Sequence, residues 1–469
     1  MIDKTRPNVV VIVVHDLGDY LGCYGHKVDS PNLDRFAAEG VRFANHFSTA
    51  AMCSPARGSI ITGRYPHANG LMGLCNLGWD LPAHNLTDAQ RFEEAGYRTA
   101  LVGFQHEKQS AADLRFQQTW SRVLCHSNYS TDHMAECADE LLGAMAVEQQ
   151  KGQDQRPFYL RLGTYSVHRN LAPVSGAYGY DMMHDRGMAE SDVDIMPQWM
   201  DTPGLRYDLA GFTGDVNNMD RGVGVVLDAI RKHGFEDDTL VVFTTDHGID
   251  FPRAKSTLYD LGTRTALLMR WPRRMPAGSV VSGLTSHIDI LPTILDACGA
   301  TPSPDFQGAS LLPLIDGTCR AIHDYIFTEE STFPNNLMRA VRSGRFKLIR
   351  NYSRGKRSLA ATCLGGRTEI DTGNFYFDDR PEYEFYCVEA DPHELTNISG
   401  CGKHRQVEAE LREQLDRWLT ETQDPILTDS IRRPEERRIY ENKPHPVRNH
   451  EHWDLLWWPP SQSRGGTNC

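Results

Sequence analysis

The chain carries no apolar run long enough to cross a bilayer. Its first such run, Val9 to Val14, is also too short for the core of a signal peptide, and Met1 to Pro7 ahead of it is polar. No membrane partner is expected, and a cytoplasmic location is. Positive charge is scarce as well: 49 Lys and Arg stand against 62 Asp and Glu, giving a net charge of -13 that is dispersed rather than gathered in acidic blocks. That balance excludes a broad electrostatic grip on nucleic acid or anionic lipid, so an anionic substrate would need positive charge assembled locally. Cysteine offers no disulfide framework. The 11 cysteines are an odd number scattered along a long chain, the pattern of a reduced cytosolic protein. Internal repeats and low-complexity segments are absent too.

What is present is enough chain for a large buried core. At 469 residues it exceeds what one core normally serves. The expected division is a catalytic domain over 1–321, a small α+β domain over 322–425 and a Pro/Arg/Trp-rich tail over 426–469. Trp453, Trp457 and Trp458 in that tail are candidate anchors on a neighbouring surface, which points to a homodimer. In the first part short apolar runs alternate with helical patterns, the signature of an α/β fold with a largely parallel sheet covered on both faces. Predicted strands are Asn8 to Val14, Arg98 to Gly103, Phe158 to Gly163, Leu240 to Thr245 and Ala266 to Arg270. Predicted helices are Asn32 to Glu39, Pro55 to Thr62, Thr131 to Gln149, Gly214 to His233 and Asp289 to Cys298. Beyond Ile322 the pattern changes to short strands (Tyr325 to Thr328, Arg339 to Val341, Phe346 to Ile349, Glu384 to Cys387) and one amphipathic helix, Gln406 to Thr422.

Open α/β sheets bind ligands beyond the carboxyl ends of their strands. His15-Asp16 follows the first strand directly, and Asp246-His247 follows Leu240 to Thr245 in the same way. Two acid and imidazole pairs, far apart in sequence, are thus expected to meet at one sheet edge as a metal site. The segment Met52-Cys53-Ser54-Pro55-Ala56-Arg57-Gly58 adds a nucleophile. Pro55 suits the first turn of a helix, which puts Ser54 at the cap and Cys53 just before the helix, where free N–H groups favour an anion. Arg57 is expected to turn its guanidinium toward Cys53. Together these groups suit attack on a tetrahedral oxyanion.

The pattern C-S-P-A-R-G-S-I-I-T-G-R beginning at Cys53 resembles the signature of the type I sulfatases of the alkaline phosphatase superfamily. Similar segments run from Arg6 to about Pro425 in the expected order. They include Pro31-Asn32-Leu33-Asp34, Gly40-Val41-Arg42-Phe43, Thr244 to Gly248, Lys255 with Tyr259, and Gly262 to Arg264. Within that family the chain is most similar to the heparan N-sulfatase (sulfamidase, N-sulfoglucosamine sulfohydrolase) group. Asn69 to Leu74, Met219 to Gly224, Asp250-Phe251-Pro252 and Asp391 to Glu394 carry this closer likeness.

The resemblance implies an alkaline-phosphatase-like fold and a sulfatase acting on a sulfate ester or sulfamate, for a small anionic sulfated substrate such as a sugar or aryl sulfate. It implies that Cys53 is oxidised to formylglycine by a separate formylglycine-generating enzyme. The hydrated aldehyde has two hydroxyls: one attacks sulfur, and the other expels the sulfate. Carried over, the resemblance makes Asp16, Asp246 and His247 ligands of one divalent metal ion beside the Cys53-derived group. Arg57 and Lys255 would hold sulfate oxygens, His106 would hydrogen-bond the nucleophile, and His168 would assist the leaving group.

The chain departs from the family pattern in three places. His15 replaces the first of two adjacent aspartates and joins the ligand set, so manganese (Mn2+) becomes as suitable as calcium (Ca2+). Phe104 stands where the family has a lysine, and Lys108 is the nearby candidate to replace that cation. Thr164-Tyr165-Ser166-Val167 departs from the usual Asp-Pro before His168. Two other readings compete: a phosphonate monoester or phosphodiester hydrolase on the same fold, and a catalytically silent binding homologue. Segments Ala172 to Asp201 and Tyr352 to Arg380 are the expected selectors of substrate.

Overall fold

The computed structural model describes residues 6–120, 131–174, 177–179, 187–300, 303–353, 356–358, 367–372, 377–431 and 434. Three features named above fall wholly or partly outside these residues: the tail tryptophans and parts of both substrate-selecting segments.

An eight-stranded sheet organises the first part. In chain order its strands are β1 (Asn8–Val14), β2 (Val41–Phe43), β3 (Arg98–Gly103), β4 (Gln118–Trp120), β5 (Phe158–Gly163), β6 (Thr239–Thr245), β7 (Leu267–Arg270) and β8 (Ser279–Val281). The spatial order is β8-β2-β7-β6-β1-β5-β3-β4. All pairs are parallel except those of β7, which runs antiparallel to both β6 and β2.

β1 shows why these residues make a central strand. Every residue of Asn-Val-Val-Val-Ile-Val-Val is buried. Val10, Ile12 and Val14 pack into one core, while Val9, Val11 and Val13 pack into another on the opposite face. A strand covered on both sides has no polar face, so its sequence reads as a continuous apolar run. Truncating Ile12 to alanine would cost about 2–5 kcal/mol.

Helices cover both faces: α1 (Pro31–Glu39), α2 (Cys53–Thr62), α3 (Thr131–Gln150), α4 (Pro203–Lys232) and α5 (Ile290–Ala297). α4 begins well before the predicted Gly214, since Thr202 caps it by accepting from Leu205 N and Pro203 fills its first turn. Its Met219 to Gly224 motif is structural. Asp220 accepts from the backbone N–H groups of Asn32 and Leu33, which start α1. A Cβ on Gly222 would meet Thr131 at 2.4 Å, so α4 can approach α3 only with glycine there.

The remainder is a four-stranded antiparallel sheet, β9 (Ile326–Glu330), β10 (Met338–Arg342), β11 (Phe346–Asn351) and β12 (Tyr383–Cys387), in sequential order. Helix α6 (Arg405–Glu421) packs Leu411, Leu415, Trp418 and Leu419 onto Val341, Phe346, Leu348 and Phe385. Buried ion pairs tie this sheet to the first part, Arg342 and Lys347 to Asp260 at 3.0 and 2.9 Å, and Lys347 also meets Glu394 of its own part at 2.9 Å. Among the described residues no helix is long and apolar enough to cross a membrane.

Candidate active site

Three strand ends and one helix start converge. β1 ends in His15-Asp16, β6 ends in Asp246-His247, and the loop after β5 carries Tyr165 and His168. α2 brings Cys53 from the side. The sequence placed Ser54 at the cap of this helix and Cys53 before it; instead Met52 is the cap and Cys53 is already in the first turn. The reason is that proline is tolerated throughout a first turn, where N–H groups have no partner within the helix, so Pro55 does not fix the register.

The cluster is tight. One donor atom from each of His15, Asp16, Cys53, Asp246 and His247 lies within 4.8 Å of all the others. Cys53 Sγ is 3.3 Å from His247 Nε2, 3.8 Å from His15 Nδ1 and 4.0 Å from Asp16 Oδ1. This sulfur marks where the oxygen substituents of a modified residue would stand. His247 Nε2 is 3.1 Å from Asp16 Oδ1, and His15 Nδ1 is 2.8 Å from Asp16 Oδ1 and 3.3 Å from Asp246 Oδ2.

Backbone geometry serves this gathering. Asp16 adopts φ 50°, a left-handed conformation that aspartate tolerates better than most residues, and its N–H donates to Asp246 Oδ1 at 3.0 Å. A Cβ on Gly248 would meet Leu261 O at 1.9 Å, so the chain can turn after His247 only with glycine. Lys255 is delivered by a loop with left-handed residues on either side, Arg253 at φ 61° and Ser256 at φ 64°.

The donor set fits a divalent cation. His247 Nδ1–H donates to Gly248 O at 2.8 Å, which leaves the Nε2 lone pair facing the cluster. His15 Nε2 is buried without a hydrogen-bond partner. Two carboxylates and two imidazoles form a mixed hard and borderline set. Burial opposes every charge here, but the neighbours outweigh it: Lys255 and three histidines hold Asp16 well below the usual carboxylate range, and His15 and His247 do the same for Asp246. Burial likewise opposes ionisation of Cys53, yet His15, Lys255 and His247 pull its thiol well below the ordinary value. His15 is raised to about 9 against burial by Asp246, Cys53 and Asp16.

Arg57 and Lys255 are both buried and both engaged. Arg57 enters the Cys53 cluster through Asp246: its Nε donates to Asp246 Oδ2 at 2.9 Å and its Nη2 to Val14 O at 3.3 Å, the buried carboxylate being the stronger acceptor. Lys255 Nζ donates to Asp16 Oδ2 at 2.5 Å and lies 3.2 Å from His168 Nε2. His168 donates from Nδ1 to Arg169 O at 2.7 Å, and burial with Lys255 beside it lowers this imidazole to about 3.

His106 and Lys108 have other neighbours than the Cys53 thiol. His106 makes no hydrogen bond to Cys53 among the described residues. Its ring sits 6.3 Å from His15 and 5.6 Å from Phe104, and its Nδ1 is buried without a partner. Lys108 does not replace the missing cation, because its ammonium is held by Asp80 at 3.3 Å. Phe104 occupies that place, with the Arg57 guanidinium 5.1 Å above its ring. Sequence reasoning missed other residues here. Tyr165 stacks on His168, Phe333 packs against Met52 and Cys53, and Glu330 ends β9 close to the nucleophile segment, where Glu329 bridges Ala50. The position of Tyr165 at a strand end was a usable signal; the sequence offers none for Phe333 and Glu330, which come from the second sheet.

A nucleophilic side chain inside a cluster of metal-ligand type, beyond the carboxyl ends of an α/β sheet, is the arrangement of a hydrolase site that could hold a metal ion. The Sulfatase family model matches residues 7–300, more than half of the chain, so the chain belongs to the sulfatase family of sulfuric ester hydrolases. A second model, N-sulphoglucosamine sulphohydrolase, C-terminal, matches residues 250–359. Human N-sulphoglucosamine sulphohydrolase is 29% identical, covering 90% of this chain and 92% of that protein. Among solved structures, a complex with its substrate D-glucosamine-2-N,6-O-disulfate aligns at TM-score 0.67 and 20% identity, over 89% of this chain and 98% of that one. A phosphonate monoester hydrolase of Agrobacterium radiobacter aligns at TM-score 0.65 and 20% identity, over 90% and 97%.

Proposed function

We propose that this chain releases sulfate from a sulfated sugar, with an N-sulfated glucosamine as the leading candidate, through a formylglycine made from Cys53. The observation that carries the reading is Cys53 Sγ at 3.3 Å from His247 Nε2, inside a buried set of two carboxylates and two imidazoles. The sugar is argued from the match to the N-sulphoglucosamine sulphohydrolase C-terminal model and from the human relative.

His15, Asp16, Asp246 and His247 would hold one divalent cation, Mn2+ or Ca2+, which when bound supplies positive charge against the sulfate and lowers the pKa of the attacking hydroxyl. Formylglycine supplies, once hydrated, one hydroxyl to bond sulfur and a second whose proton loss releases the sulfate. The other residues position and neutralise. Arg57 fixes Asp246, so its charge reaches the sulfate from behind that carboxylate. Lys255, already donating to Asp16, would use a further N–H to bridge to a sulfate oxygen. His168, held by the Arg169 carbonyl, turns Nε2 to accept from Lys255, so the neutral imidazole assists the departing nitrogen or oxygen by aiming the remaining N–H groups of that ammonium at it.

Two measurements test this. The mass of the tryptic peptide holding Cys53 should show thiol replaced by carbonyl in protein made with the modifying enzyme; an intact thiol there sinks the mechanism. Purified, modified protein should cleave sugar sulfamate or sulfate ester faster than an aryl phosphonate. The reverse order would assign the chain to phosphonate hydrolysis.

A further inference from the structure

Tyr165 stands beside the site. It follows β5 at the sheet edge, is half-buried, and stacks on the His168 ring with centroids 4.5 Å apart and planes at 28°. Its ring is also 5.5 Å from His15 and 5.4 Å from Phe104. Its hydroxyl lies within electrostatic reach of Lys255, Asp16 and Cys53.

That hydroxyl has no hydrogen-bond partner among the described residues. Four core tyrosines are satisfied by protein groups instead: Tyr159 donates to Asp88, Tyr259 and Tyr386 donate to Glu384, and Tyr97 donates to Pro7 O. A half-exposed phenol with no protein partner, beside a reaction centre, is placed to hydrogen-bond a substrate. The side is informative as well. In-line displacement puts the departing group opposite the nucleophile, and in the reading above His168 with the Lys255 ammonium assists it. A ring stacked on His168 therefore faces the organic part of the substrate rather than the sulfate.

We propose that Tyr165 is a specificity-determining residue whose hydroxyl bonds a hydroxyl group of the departing sugar while its ring holds His168 in position. The proposal rests on the sulfatase reading above. A polar group built to meet a substrate hydroxyl discriminates against substrates that lack one, because it is then left unpaired. An aryl sulfate has no such hydroxyl.

The test compares wild type with Tyr165→Phe and Tyr165→Leu on an N-sulfated glucosamine and on 4-nitrophenyl sulfate. Tyr165→Phe keeps the ring and is expected to raise KM for the sugar about fivefold to tenfold, with kcat within about twofold and no change in KM for the aryl sulfate. Tyr165→Leu removes the stacking partner of His168, so it should also lower kcat on the sugar and displace the pH profile. Equal KM changes on both substrates, or none on either, would overturn the proposal. Wild type that prefers aryl phosphonate to both sulfates would remove the sulfatase reading itself, a result independent of the variants.

Discussion

Lys255 Nζ is 2.5 Å from Asp16 Oδ2 and 3.2 Å from His168 Nε2, so one buried ammonium joins the acid after β1 to the imidazole after β5. In the proposed mechanism a further N–H of this ammonium meets the negative charge that grows on sulfate oxygens. Lys255→Ala should therefore lower kcat about 100-fold or more, the usual loss when one buried electrostatic donor is removed. Sulfate release measured alongside thermal unfolding checks this, since a fully folded variant with unchanged kcat would contradict it.

His247 is fixed by a carbonyl, and this makes it a test of the metal. Its Nδ1–H is engaged by Gly248 O, so only Nε2 faces Cys53 and Asp16. His247→Ala is expected to weaken manganese binding by about tenfold or more by calorimetry, and His15→Ala to weaken it as well. Unchanged affinity in the His15 variant would remove His15 from the ligand set.

Much of this arrangement was legible in the sequence, for a physical reason. β1 and β6 are covered on both faces, so they are continuous apolar runs, and the polar pairs at their ends stand out. What stayed hidden depends on tertiary placement. Spacing cannot say that Lys108 is taken by Asp80, that Arg57 turns to Asp246, or that Glu330 and Phe333 arrive from the second sheet. β2 is too short, at 3 residues, to show a period, and glycines along α4 blurred its first turns.

Asp260 is the link between the two sheets. It receives Arg342, Lys347 and Arg264, and its backbone N–H donates to Glu394, the last residue of the Asp-Pro-His-Glu segment. Burial opposes its charge, but Arg342 and Lys347 hold its carboxyl well below the ordinary range. Asp260→Ala would strand the buried Arg342 and leave Lys347 with Glu394 alone, and should cost about 3–5 kcal/mol in urea unfolding. Because Arg342 and Lys347 are almost fully covered, added salt should recover little of that loss.

Glu330 gives a pH dependence of defined sign. One carboxylate oxygen accepts from Thr332 N at 2.8 Å, the other is buried without a partner, and burial raises the group from 4.5 to about 7. Between those values the folded chain keeps a proton that the unfolded chain has released. Folding therefore binds protons there, and the contribution of Glu330 to stability is full below pH 4.5 and lost as the pH rises through about 7. Glu330→Gln keeps the shape and cannot ionise. Its stability relative to wild type should climb across that window and level off above it, at about 1–3 kcal/mol in its favour. Thermal melts of both proteins at pH 5 and pH 8, buffers set about either side of the window, decide the matter. A glutamine variant that instead loses stability as the pH rises would mean that the folded protein holds Glu330 as a paired carboxylate.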